Sequence, residues 1–207
     1  LKQCWPKIVR MLPTPAARPP WRAWLACRAR AFVDWLHARP PLQLLVVGPS
    51  GAGKTTAAWT LKYGEVTPAV LTTSFGVEAL ECRGCHLTVV GLSGNQSLRA
   101  LRRHYYARTE GIVLVVDSCD RERIVVAREE LKVMLADEWM GAGVPVLVLS
   151  NKQDTPEAMA SPEIIESLDL QQLQDRCWSV FETCAMSGAG LHEGFDWLKE
   201  AMSHSRR

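Results

Sequence analysis

One stretch limits the folds open to this chain more than any other: Gly48-Pro49-Ser50-Gly51-Ala52-Gly53-Lys54-Thr55. It satisfies G-x-x-x-x-G-K-[ST], and it lies between the apolar run Leu42 to Val47 and a helical stretch reaching to about Tyr63. A strand, a glycine-rich turn and a helix in that order wrap consecutive backbone N–H groups around an anion, and the helix N-terminus adds its dipole. Gly48, Ser50, Gly51, Ala52, Gly53, Lys54, Thr55 and Thr56 form the expected phosphate cradle. Within it Lys54 neutralises β- and γ-phosphate oxygens and Thr55 is a candidate Mg²⁺ ligand.

The remaining pattern alternates strands and helices. Phe75 to Glu81 and His86 to Val90 flank a glycine-containing turn and read as a hairpin. Ile112 to Asp117 and Val144 to Leu149 are continuous apolar runs, as strands buried on both faces should be. A further strand is expected near Val180 to Cys184, with helices over Arg121 to Asp137, after Ser161-Pro162, and from about Gly190 to Met202. The fold class is therefore α/β, a mostly parallel sheet with helices on both faces.

Charge is unevenly spread along the 207 residues, whose net charge is +2. Residues 1–41 carry eight basic residues against the single acid Asp34, a net of +7, which leaves −5 for the rest. Seven of the 12 prolines and four of the eight tryptophans also fall there. Composition thus divides the chain into a basic Pro/Trp-rich extension over 1–41, a nucleotide-binding domain over 42–203 and a short tail over 204–207. No apolar run approaches the ~20 residues needed to span a bilayer. Seven scattered cysteines predict reduced thiols and a cytoplasmic chain.

A phosphate loop alone does not choose between guanine and adenine, or between a GTPase and a P-loop kinase. Asn151-Lys152-Gln153-Asp154, directly after an apolar strand, does. The Asp154 carboxylate can accept from the N1–H and exocyclic amine of guanine, whereas adenine has no N1–H to offer and leaves it unpaired. The Lys152 stem can lie over the base, Asn151 is suited to tie this loop to the phosphate loop, and Cys184-Ala185 would bring the Ala185 N–H to the guanine O6.

The segments "GAGKTT", "FGVE", "RHYY", "VVDSCDRERI", "NKQD" and "TCAMSGAGLHEGFDWL" occur in an order and spacing that resembles the Arf and Arf-like small GTPases, over about Leu42 to Met202. The resemblance implies a six-stranded Ras-like P-loop G domain, GTP or GDP with Mg²⁺ as cofactors, switch loops, and effector and exchange proteins as partners. It places Thr72 as the switch-I threonine that binds Mg²⁺ when GTP is present. Phe75 and Tyr105 match aromatic positions beneath the hairpin between the switches, while Val90 stands where the family has tryptophan.

By the same alignment the family's D-x-G-G-Q is Gly91-Leu92-Ser93-Gly94-Asn95. Gly94, whose N–H would sense the γ-phosphate, is kept. Gly91 removes the carboxylate that steadies Mg²⁺, and Asn95 is one methylene shorter than the glutamine that orients the attacking water. Because cleavage depends on positioning that water, weak or absent GTP hydrolysis is expected. Three alternatives stay open: Asp117 or a water replaces the lost carboxylate, the chain is a non-cycling nucleotide-binding scaffold, or it is a P-loop kinase.

Outside the domain, Trp21, Trp24, Leu25, Ala31, Phe32, Trp35 and Leu36 share one helical stripe. Residues 21–39 read equally as an interfacial helix on anionic lipid or as a helix packed on its own domain. The resemblance favours a role in vesicle-mediated or intracellular protein transport, peripheral on a Golgi or vesicle membrane. A monomer is expected, and no nucleic-acid motif accompanies the basic N-terminus. Cys82-Arg83-Gly84-Cys85-His86 spells C-x-x-C-H, readable as haem, zinc or a redox pair but also as a hairpin turn.

Overall fold

The computed structural model describes residues 42–64, 78–82, 84–90 and 104–205. Thr72, Phe75, Gly91, Gly94, Asn95 and the 21–39 stripe lie outside them. Six strands form one sheet: β1 (Leu42–Val47), β2 (Glu78–Cys82), β3 (Cys85–Val89), β4 (Gly111–Asp117), β5 (Val146–Asn151) and β6 (Trp178–Glu182). Their order is β2-β3-β1-β4-β5-β6, with β2 antiparallel to β3 and every other pair parallel. The helices that lie wholly among the described residues are α1 (Lys54–Tyr63), α2 (Arg121–Leu135), α3 (Ser161–Ser167) and α4 (Leu191–Ser205), with a 3₁₀ turn at Leu170–Gln172.

The sheet is buried on both faces, which is why its central strands show no polar alternation. Leu45, Val47, Ile112, Leu114, Val116, Val146 and Val148 face a layer containing Ile124, Leu131 and Met134 of α2 and Ile164 of α3. Leu44, Val46, Val113, Val115, Leu147 and Leu149 face the opposite layer, with Ala57, Ala58 and Leu61 of α1 and Leu191, Phe195, Leu198 and Met202 of α4. Truncating a fully enclosed member such as Leu147 to alanine would cost about 2–5 kcal/mol. The far end of α4 returns to the beginning of β4: a Cβ on Gly111 would lie 2.8 Å from both Leu44 Cδ2 and Met202 Sδ.

Element identities follow the sequence expectations, and several boundaries move, the hairpin strands to Glu78–Cys82 and Cys85–Val89 among them. β5 starts at Val146 rather than Val144 and runs on to Asn151. β6 occupies Trp178–Glu182, not Val180 to Cys184, because the Val146 N–H pairs with Cys177 O and starts the ladder earlier. Past the strand the Thr183 N–H still reaches Ser150 O at 2.9 Å, and Cys184 turns away to bridge to Ala189. α2 stops at Leu135 rather than Asp137, since the Asp137 N–H turns back to Met134 O in a tighter i to i−3 bond. α4 runs past Met202 to Ser205, so the expected 204–207 tail begins inside a helix.

The parallel strands send their carboxyl ends to one edge of the sheet. There β1 delivers the glycine loop, β4 delivers Asp117, β5 delivers Asn151, and β6 delivers Thr183 to Ala185. β1 lies between β3 and β4, so the glycine loop emerges where connections depart to both sides, the place at which open α/β sheets bind ligands.

Candidate nucleotide-binding site

The glycine loop depends on positions where a side chain has no room. Gly48 has φ +153°, and a Cβ on it would meet Val115 O at 2.1 Å. Gly53 caps α1 in the left-handed region at φ +95°, with Asn151 Nδ2 2.3 Å from its would-be Cβ. No side chain caps α1 and no acidic residue lies in its first turn, so the N–H groups and positive end of the dipole are left for an external anion. Lys54 Nζ donates to Pro49 O at 2.7 Å, and burial lowers its pKa to about 8. A half-buried ammonium with a single carbonyl partner among the described residues is a strong point of attraction for phosphate oxygens. Thr55 and Thr56 are half-buried on the first turn, while Ser50 and Gly51 form the exposed outer lip.

Asn151 joins the two halves of the site. Its Nδ2 donates to Ala52 O at 2.8 Å, and its Oδ1 accepts the Ala185 N–H at 2.8 Å. The first bond ties the base loop to the phosphate loop. The second shows that the Ala185 N–H, expected to be aimed at a guanine O6, is also held by Asn151.

Lys152 adopts a left-handed backbone at φ 68°, and its Nζ pairs with Asp117 Oδ2 at 2.6 Å. Asp117 also accepts from the Cys119 N–H, so this carboxylate is committed to the base loops. Asp154 is exposed and makes no side-chain hydrogen bond or ion pair among the described residues. An open cleft of about 570 Å³ lies beside it, lined by Gln153, Asp154, Thr183, Cys184, Met186 and Ser187 among others.

Three residues that shape the site were not singled out in the sequence. Gln153 Nε2 donates to Ser150 Oγ at 2.9 Å and Met159 O at 3.0 Å, and its N–H reaches Thr183 O, which fixes the loop carrying Asp154. Arg123 on α2 donates to Ser50 O and pairs with Asp120, whose carboxylate also caps α2. Thr60 on α1 donates to Ala185 O. Arg123 lies in the quoted "DRERI" segment, whereas Thr60 had no signal beyond being a hydroxyl among buried helix positions.

The C-x-x-C-H segment is a hairpin turn. Cys82 and Cys85 are ladder partners, and His86 sits one position on, paired with Glu81 at 3.5 Å. Side chains alternate along a strand, so His86 faces away from the two thiols. Cys82 Sγ donates to Leu61 O at 3.2 Å, and burial pushes the Cys85 thiol up, away from the thiolate that redox chemistry or metal binding needs. Among the described residues no group of three or more His, Cys, Asp or Glu could hold a metal ion, and no helix is long and apolar enough to cross a membrane. Tyr105 packs half-buried against the cluster that contains Val90.

Residues 31–202 match the ADP-ribosylation factor family. The chain belongs to that family. A solved structure of the Arl6 BBS3 small GTPase from Trypanosoma brucei, with the bound nucleotide analogue GppNp, is similar to it at 33% identity and a TM-score of 0.67. That likeness covers 79% of this chain and 98% of the Arl6 chain. This Arf-family protein thus has the Ras-like small GTPase fold, that of a guanine-nucleotide switch whose class works with Mg²⁺ and with effector and exchange partners. The uncapped, acid-free start of α1, half-buried Lys54 and an Asp154 without a side-chain partner among the described residues fit a guanine nucleotide. Among the described residues Thr55 is the one expected Mg²⁺ ligand.

Proposed function

We propose that this chain is a GTP- and GDP-binding switch whose own hydrolysis is weak or absent, acting in vesicle-mediated or intracellular protein transport. The observation that carries nucleotide binding is the clasp made by Asn151, which holds Ala52 of the phosphate loop and Ala185 of the base loop with the two atoms of one amide. Backbone N–H groups and Lys54 would bind the phosphates, Thr55 would ligate Mg²⁺, Asp154 would select guanine, and Lys152 would cover the base. A bound Mg²⁺ would supply charge neutralisation between the β- and γ-phosphates.

Impaired hydrolysis is supported by Gly91 and Asn95 in the sequence and by the commitment of Asp117 to Lys152. A loaded chain would then hold its triphosphate state for long periods and engage effectors until exchanged or stripped. Peripheral membrane contact through residues 21–39, in the cytoplasm at a Golgi or vesicle surface, belongs to the same proposal. It is supported by the Trp/Phe/Leu stripe interspersed with arginines.

The test is to release and chromatograph the nucleotide carried by purified protein, then follow single-turnover GTP cleavage in wild type and in the double variant Gly91→Asp with Asn95→Gln. Bound guanine nucleotide with cleavage raised only in the double variant is the expected result. Wild-type cleavage at the rate of the double variant would refute impaired hydrolysis. A protein that neither carries nor takes up guanine nucleotide would refute the reading as a whole.

A further inference from the structure

α1 carries a buried hydroxyl that the phosphate chemistry does not use. A helical threonine commonly turns its Oγ1 back to a carbonyl one turn earlier in its own helix. Thr60 instead donates to Ala185 O at 2.7 Å, across 125 residues of sequence, and it is 4% exposed. Ala185, itself 3% exposed, gives its N–H to Asn151 Oδ1 at 2.8 Å. The two peptide planes flanking the Ala185 Cα are thereby fixed from different directions, one by the loop after β5 and the other by the helix that follows the phosphate loop.

The surroundings hold Thr60 in that role. Gly188 turns at φ +82°, and a Cβ there would lie 3.3 Å from Thr60 Cγ2, so the loop packs closely against this side chain. The same turn is closed by the Gly188 N–H on Cys184 O at 2.8 Å. Removing the hydroxyl while keeping the side-chain volume would leave a buried carbonyl unpaired, which the loop relieves by turning about the Ala185 Cα, so that the peptides on both sides move and the N–H with them.

We propose that Thr60 is a positioning residue for recognition of the purine 6-oxygen. By anchoring Ala185 O to α1 it aims the Ala185 N–H, which a base oxygen shares with Asn151 Oδ1 as a three-centre bond. It also ties the base-reading loop to the helix whose first turn receives the phosphates. The inference rests on the guanine-nucleotide reading above and adds to it a selectivity determinant outside both motifs.

The test compares GDP with 6-thio-GDP, which keeps the N1–H and the 2-amino group and replaces the 6-oxygen by a poor acceptor. Both are titrated calorimetrically into nucleotide-stripped full-length protein at neutral pH. Wild type should prefer GDP. Thr60→Val should bind GDP about tenfold more weakly, with the preference over 6-thio-GDP falling several-fold, and Thr60→Ser, which keeps the hydroxyl, should restore both. An unchanged preference in Thr60→Val, or a Thr60→Ser variant as impaired as Thr60→Val, would overturn the proposal and leave nucleotide binding intact. Wild-type protein with no preference for the oxygen would overturn the O6 reading together with it. Should Thr60→Val fail to fold by circular dichroism, Thr60→Ala against Thr60→Ser makes the same comparison with the same two outcomes.

Discussion

Two helices of this domain begin in opposite ways. α1 starts at Gly53, in the left-handed region, with no side-chain cap and no acid in its first turn. α2 starts at Asp120, whose carboxylate accepts the Arg123 N–H, and carries Glu122 in its first turn. The second satisfies its own donors and dipole. The first leaves both for a ligand. An anion-binding helix start is therefore marked as much by what is withheld from it as by what is put there, and α2 provides the internal reference.

The strongest way to break the contrast is to give α1 a conformation it does not tolerate. Gly53→Ala adds strain at φ +95° and drives its Cβ into the Asn151 amide, so it damages the helix start and the clasp together. We expect guanine-nucleotide affinity to fall by at least about a hundredfold, a loss in the range of one backbone strain plus one broken buried hydrogen bond. Retention of bound nucleotide through purification would contradict this.

A gentler variant makes α1 resemble α2. Thr56→Glu places an acid in the first turn, where it offsets the dipole and repels phosphate, and about a tenfold loss of affinity is expected, shrinking as salt is raised. A loss that does not respond to salt would point to a steric cause.

The pH dependence sharpens the same comparison. Burial holds Lys54 at about 8, below its unfolded value of 10.5. The folded chain without phosphate therefore gains stability from this group as pH rises through that interval, because the unfolded form binds the extra proton. Nucleotide binding runs the other way: phosphate favours the ammonium, so binding should take up a proton and weaken as pH climbs above about 8. Calorimetry in buffers of different ionisation enthalpy reads this directly, and an absence of proton uptake at about pH 9, one unit above the titration, would contradict it.

The smallest effect is expected at the reference helix. Asp120→Ala removes a cap and frees Arg123, lowering the melting temperature by about 2–4 °C while leaving the α1 start in place. Nucleotide affinity should change by less than about threefold, and a larger loss would mean that the Arg123 contact to Ser50 O contributes to binding.

Much of this was legible because certain positions admit few residues. Gly48 and Gly53 are demanded by backbone geometry, and Asn151 by the need for one donor and one acceptor on the same short side chain. Such demands leave signatures a few residues long. The strands were legible through continuous apolar runs, yet β5 and β6 shifted by two residues, since ladder register is set by the neighbouring strand and not by the run itself. The contacts of Thr60, Arg123 and Gln153 were not legible. Each depends on which distant carbonyl the fold brings within reach, as with the 125-residue gap between Thr60 and Ala185, and nothing local encodes that. The segment around Cys82 shows the converse, a motif whose spelling matched a haem pattern while the alternation of the strand turned His86 away from the thiols.

The contact of Gly111 with Met202 has a further consequence. Leu42 opens β1, Gly111 opens β4, and the last turns of α4 return to that same end, so the domain's first strand begins and its last helix finishes at the edge of the sheet opposite the glycine loop and Asp154. A fluorescent label on the exposed Ser203 or His204 of the last turn of α4 therefore sits a sheet's length away from the loops that read the nucleotide.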